Sequence, residues 1–142
     1  MKIESEDRQS VVTLRSLRAE LTAYPSICVS IELRSRHVSG QDPGIWIELD
    51  KANNFIEALT LLDRVRKGEA LLEGMSPGEL WLRIYPLNSR GHIGLEIKIN
   101  GKHFVGDDYM NHGCHTSFQL EPTALPGIRD GLRILVDEQK AV

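Results

Sequence analysis

The sequence predicts an α+β fold: a mainly antiparallel, twisted sheet of about six to seven strands, with two amphipathic helices on one face. Three observations carry this. Apolar residues alternate with polar ones in several short runs, the period of half-buried strands. Two longer stretches place apolar residues at helical spacing instead. The strand-like runs also come in blocks rather than in regular strand–helix alternation, which favours antiparallel pairing.

Residues 1–9 read as a frayed or edge segment. Residues 10–21 fit either element: Leu14, Leu17 and Leu21 have helical spacing, while the β-branched Val11, Val12 and Thr13 tip the segment to strand. Ile27, Val29, Ile31 and Leu33 form a clear alternating run. SGQDPG (39–44) reads as a turn, with Asp42 able to close it by a side-chain hydrogen bond. Ile45, Ile47 and Leu49 resume the alternation, so a hairpin is expected.

Asp50 is placed to cap a helix whose stripe is Phe55, Leu59, Leu62 and Val65, flanked by Ile56. Arg64, Arg66 and Lys67 suit its C-terminal end, and Gly68 suits its stop. After a linker containing MSPG (75–78), Leu80, Leu82 and Ile84 alternate, then Ile93, Leu95, Ile97 and Ile99. Asn100-Gly101 is a strong hairpin signal and would return the chain through His103 to Val105. Residues 106–114 then read as a polar loop, and Thr116, Phe118 and Leu120 as a last strand. Leu125, Ile128, Leu132 and Leu135 define the second helix, with Pro126 in its first turn and Gly131 inside it. Residues 137–142 read as a frayed tail. No boundary divides the chain, so 1–142 is expected to be a single domain.

A chain of 142 residues can bury a core without metal or disulfide support. Its 41% hydrophobic and 26% charged content argues against disorder. The net charge of −3 argues against a general affinity for nucleic acid. No apolar run is long enough for a spanning helix, so no membrane role is expected. The polar start MKIESEDRQS is unlike a signal peptide, which points to the cytoplasm and to reduced thiols at Cys28 and Cys114.

The segment 103–115 concentrates reactive side chains: His103, Asp107, Asp108, His112, Cys114 and His115. Imidazole and thiolate are zinc donors, so a small metal-dependent enzyme is one reading. Against it, Cys114 and His115 are adjacent, and neighbours on a strand point to opposite faces. The ordinary reading is a polar loop with solvated histidines. Asp107-Asp108 could act as paired carboxylates, and Cys114 with a histidine as a nucleophile–base pair, but no activating motif surrounds either. No phosphate loop, dinucleotide fingerprint or hydrolase elbow is present. Arg15, Arg18, Arg34 and Arg36 could form a basic stripe, with a solvated sheet face as the plainer reading. Catalytic residues, cofactor and metal ligands are therefore all read as none.

Trp46, Trp81 and Tyr85 lie opposite the aliphatic faces of their strands. They either sit beneath a loop or form a partner surface, where Trp and Tyr are favoured anchors. Arg34, Arg83, Glu48 and Glu96 share that nominal face. A self-associating domain built on these aromatics is a further alternative.

Three longer stretches carry a family resemblance. GELWLRIYPLNSRGHIGLEIKI (78–99), with its Arg90-Gly91-His92-Ile93 element, resembles the central hairpin of the WapI-like bacterial immunity proteins. HTSFQLEPTALPGIRDGLRIL (115–135) is similar to their closing strand and helix, and WIELDKANNFIEALTLLDRVRKGEALLEGM (46–75) to their earlier helix and the strand after it. The resemblance runs from about residue 10 to 136 and implies fold more than activity. It implies a non-catalytic binding protein that occludes the surface of a cognate polymorphic toxin. The segment 100–114 departs from the plain hairpin of that pattern and is a candidate partner-specific insertion. If the toxin is a nuclease domain, Asp107 and Asp108 could answer its basic cleft. The expected interface residues are Trp46, Trp81, Tyr85, Asp107 and Asp108.

Overall fold

The computed structural model describes residues 1–140, the last two by backbone alone. The elements are β1 (Lys2–Glu4), β2 (Val11–Glu20), β3 (Ser26–Arg34), β4 (Ser39–Glu48), α1 (Leu49–Val65), β5 (Ala70–Glu73), β6 (Leu80–Pro86), β7 (Ile93–Val105), β8 (Asp108–Leu120) and α2 (Leu125–Lys140). The α+β class and the antiparallel pairing follow the sequence. The single sheet of six to seven strands does not: the strands form two four-stranded sheets, ordered β1-β2-β3-β4 and β5-β6-β7-β8. The short β1 falls in the expected edge segment, and the short β5 is the strand that the resemblance implies after the first helix. Each pairs along one side only, against β2 and β6, and is too short to show a periodic pattern.

Both sheets turn their aliphatic faces into one core. Val12, Leu14, Ile27, Val29, Ile31, Leu33, Ile45 and Ile47 contribute from the first sheet. Leu72, Leu80, Leu82, Ile84, Ile93, Leu95, Ile97 and Leu120 contribute from the second. The helices pack on each other, α1 also against β5 and α2 against β2. The chain therefore solves the burial problem with two twisted sheets and a helix pair sharing one apolar interior.

Several local expectations are corrected. SGQDPG is not a turn but the first half of β4; the chain reverses at Ser35–Val38, where the Ser35 amide donates to the Val38 carbonyl at 2.8 Å. Asp42 does accept the Gly44 amide at 2.9 Å, but within a bulge, where the register steps from Val29–Ile45 to Ile31–Asp42. Pro43 is tolerated because it sits at that bulge on a strand that closes its sheet. The N-cap of α1 is Glu48 rather than Asp50, without a side-chain cap; Asp50 instead lies in the first turn, where its charge suits the dipole. Val65 points to solvent, and the buried stripe begins earlier, at Leu49, Ala52 and Phe55.

Arg66, not Gly68, takes the left-handed C-cap conformation of α1, with φ of 56°. Its guanidinium offsets that strain by bonding Asp63 and the Pro122 carbonyl, tying the helix end to the start of α2. Gly131 faces the Met1 side chain, which a Cβ there would meet at 3.3 Å. Residues 137–140 continue α2, while 141–142 of the expected frayed tail lie outside the described residues.

Candidate functional site

The largest departure from expectation lies in the segment singled out for its chemistry. Asn100-Gly101 is not a turn. Both residues are inside β7, paired with Gly113 and His112 of β8. A type I′ turn needs positive φ at both central residues, and neither has it. The chain turns instead at Gly106-Asp107, between the Val105–Asp108 pair. Gly106 has φ of 64°, the pattern of a type II′ turn with glycine at its first central position.

The polar loop expected at 106–114 is therefore strand, and residues 100–113 form a two-stranded arm. β6 supports β7 only as far as Ile99, so six cross-strand pairs, from Asn100–Gly113 to Val105–Asp108, stand beyond the sheet. At about 3.4 Å per residue the arm reaches roughly 20 Å from its root. Every residue from Lys102 to Gly113 is exposed. The root is fixed by Asn100, whose amide donates to the Glu79 carbonyl at 2.9 Å and whose side chain donates to the Gly78 carbonyl at 3.1 Å. An isolated hairpin is marginal in water, so continuity with the four-stranded sheet is what holds this one.

Its tip is apolar. Phe104 is 82% exposed, and Val105, Tyr109 and Met110 are each more than half exposed. Phe104 and Tyr109 are cross-strand partners, packed edge to face at 6.4 Å, with the Lys102 ammonium 4.6 Å from the Tyr109 ring. Phe104, Val105, Tyr109 and Met110 were not singled out in the sequence. The signal that locates them is Gly106-Asp107, which makes a hairpin of the whole segment. Asp107 occupies the turn and Asp108 opens β8, both in solvent.

The other expected site residues are dispersed. Trp46 lies on the first sheet under the Arg18 guanidinium, 5.3 Å from its ring. Trp81 and Tyr85 lie on the second, covered by Lys98 at 4.9 Å and Arg83 at 3.9 Å. Arg83 contacts Glu69 and reaches Glu96, which also accepts from His115 at 3.2 Å. All three aromatics are half-buried beneath their own cations. They occupy two different sheets and do not form one aromatic face.

Of the reactive set, His103 and His112 come together across the arm, with Nδ1 atoms 3.1 Å apart. Asp107 lies at the far tip, and Cys114 lies at the root against Gly40. Among the described residues, no three His, Cys, Asp or Glu side chains converge as a metal cage would require. Burial pushes both thiols above their ordinary range, which disfavours the nucleophilic thiolate.

No family model, curated protein or solved structure matches this chain.

Beside the arm's root lies an open groove of about 950 Å³, bounded by Asp42-Pro43, the 76–79 loop and Lys102. Burial raises the Glu79 carboxyl, and the Asp42 charge raises it further. Ser76, Lys102 and His112 share that lining with Asp42 and Glu79. The arm itself offers an apolar projection with an acidic turn. No helix among the described residues is long and apolar enough to cross a membrane.

Proposed function

We propose that this chain is a non-catalytic binding protein that neutralises a cognate bacterial toxin in the cytoplasm by covering its surface, with the β7–β8 arm as the contacting element. The observation that supports this reading is the arm's tip. Four large apolar side chains stand in solvent at the end of a projection, where they bury little surface in the free protein. Aromatic anchors on a preorganised ribbon lose little entropy when they enter a pocket. Phe104 and Tyr109 fill an apolar recess of the toxin. Asp107 and Asp108 meet its basic residues and speed association. A nuclease domain fits this charge pattern, because its phosphate-binding cleft is basic.

The test is recovery of the partner from cells that naturally carry this gene, together with reading the neighbouring gene. The expected partner is the C-terminal domain of a large toxin encoded just upstream. Purified, the pair should form a stable complex, and co-expression should restore growth. A metabolic neighbourhood and no toxin recovered would overturn the reading.

A further inference from the structure

The His103–His112 pair brings two imidazole nitrogens face to face across the arm. The rings stand on cross-strand diagonal positions, their centroids 5.3 Å apart and their planes inclined by 34°. Their Nδ1 atoms are 3.1 Å apart. Room for this exists because of Gly101, the cross-strand partner of His112: a Cβ there would fall 2.6 Å from His112 Nε2. The His112 ring lies across the bare glycine, which fixes its position.

We propose that His103 and His112 form a two-imidazole site for a late first-row divalent ion: copper(II), nickel(II) or zinc(II). Metal–imidazole bonds are about 2.0–2.1 Å. Two nitrogens 3.1 Å apart then subtend about 100° at a shared ion. That value lies between the right angle of square-planar copper or nickel and the tetrahedral angle of zinc. With both rings in the Nε2–H tautomer, a small rotation of each exposed ring turns both Nδ1 lone pairs onto the ion. Hard cations such as magnesium and calcium prefer oxygen and are excluded. Two ligands leave two or more coordination positions open to water or to a donor from another molecule. The site is independent of the toxin reading, since it needs only the arm itself.

The experiment is calorimetric titration of the untagged protein with nickel, copper and zinc chlorides, with magnesium as a control. Wild type should bind one ion saturably. His103→Ala and His112→Ala should each weaken binding by at least about tenfold, since losing a direct ligand costs no less than losing the outer partner that orients one. His37→Ala and His92→Ala, with rings elsewhere, should bind as wild type. Both arm variants should keep the wild-type melting temperature, since their side chains are in solvent. No saturable binding by wild type would overturn the proposal, as would binding that survives in the His103→Ala/His112→Ala double variant.

Discussion

Gly40 of β4 lies against Cys114 of β8, so close that a Cβ on the glycine would stand 2.7 Å from the cysteine Cβ. This contact is the seam between the two sheets. β4 ends one sheet and β8 ends the other, and they meet where the arm leaves the body.

The seam therefore has no space for a side chain. Gly40→Val should destabilise the protein by about 1–3 kcal/mol, as overpacking does. Adding Cys114→Gly should recover part of that loss, and urea denaturation of both variants checks it. Equal losses with and without the second change would mean that the strands can separate freely there.

The turn of the arm depends on Gly106, which holds φ of 64°. Gly106→Val should cost about 1–2 kcal/mol locally, because a β-branched residue is strained there. The arm opens without the body, so the loss should show as faster amide exchange at 102–111 while the melting temperature holds. A large fall in melting temperature would mean that arm and body unfold together.

Leu59 is fully buried on α1, in the core shared by both sheets. Leu59→Ala should cost about 2–5 kcal/mol. Phe104→Ala, by contrast, should change stability by less than about 0.5 kcal/mol. Chemical denaturation of the two variants compares a core apolar residue with one held in solvent.

Glu79 gives the protein a pH dependence of definite sign. Its carboxyl is held above the ordinary 4.5 by burial and by Asp42, with the Ser76 hydroxyl pulling the other way. The folded state thus holds this proton more tightly than the unfolded chain. That contribution is present below the ordinary value and is lost as pH rises through the folded one. Glu79→Gln should melt higher than wild type at about pH 7.5, and the gap should close toward about pH 4. A constant gap across that range would place the effect elsewhere.

The elements that bury one face were legible. Ile27 to Leu33, Leu80 to Ile84 and Ile93 to Ile99 alternate, and each takes the strand that its period implies. The turns were less legible, because turn chemistry is local while turn choice depends on pairing. Asn100-Gly101 and Gly106-Asp107 both have hairpin composition. The second wins because it lets Phe104 pair with Tyr109 and His103 with Met110, extending the ladder by six pairs. SGQDPG likewise has turn composition, yet a bulge absorbs Pro43 and Gly44 within a strand. The division into two sheets has no local signature, since both inner faces show the same alternation. For the same reason the sequence does not separate the aromatics: Trp46 and Trp81 each lie opposite the aliphatic face of a strand, but on different sheets. The resemblance to immunity proteins rests on body segments and named no contact residue, whereas the exposed apolar tip emerges only once the arm is formed.

The most direct test of the arm as the contacting element is the affinity of Phe104→Ala/Tyr109→Ala for the toxin domain that the proposed function expects, measured against wild type by calorimetry. If the tip enters the partner, the double variant should bind at least about a hundredfold more weakly, a loss of about 2.7 kcal/mol or more, while melting as wild type does. Wild-type affinity in the double variant would show that the partner is held elsewhere and would contradict the assignment of the arm.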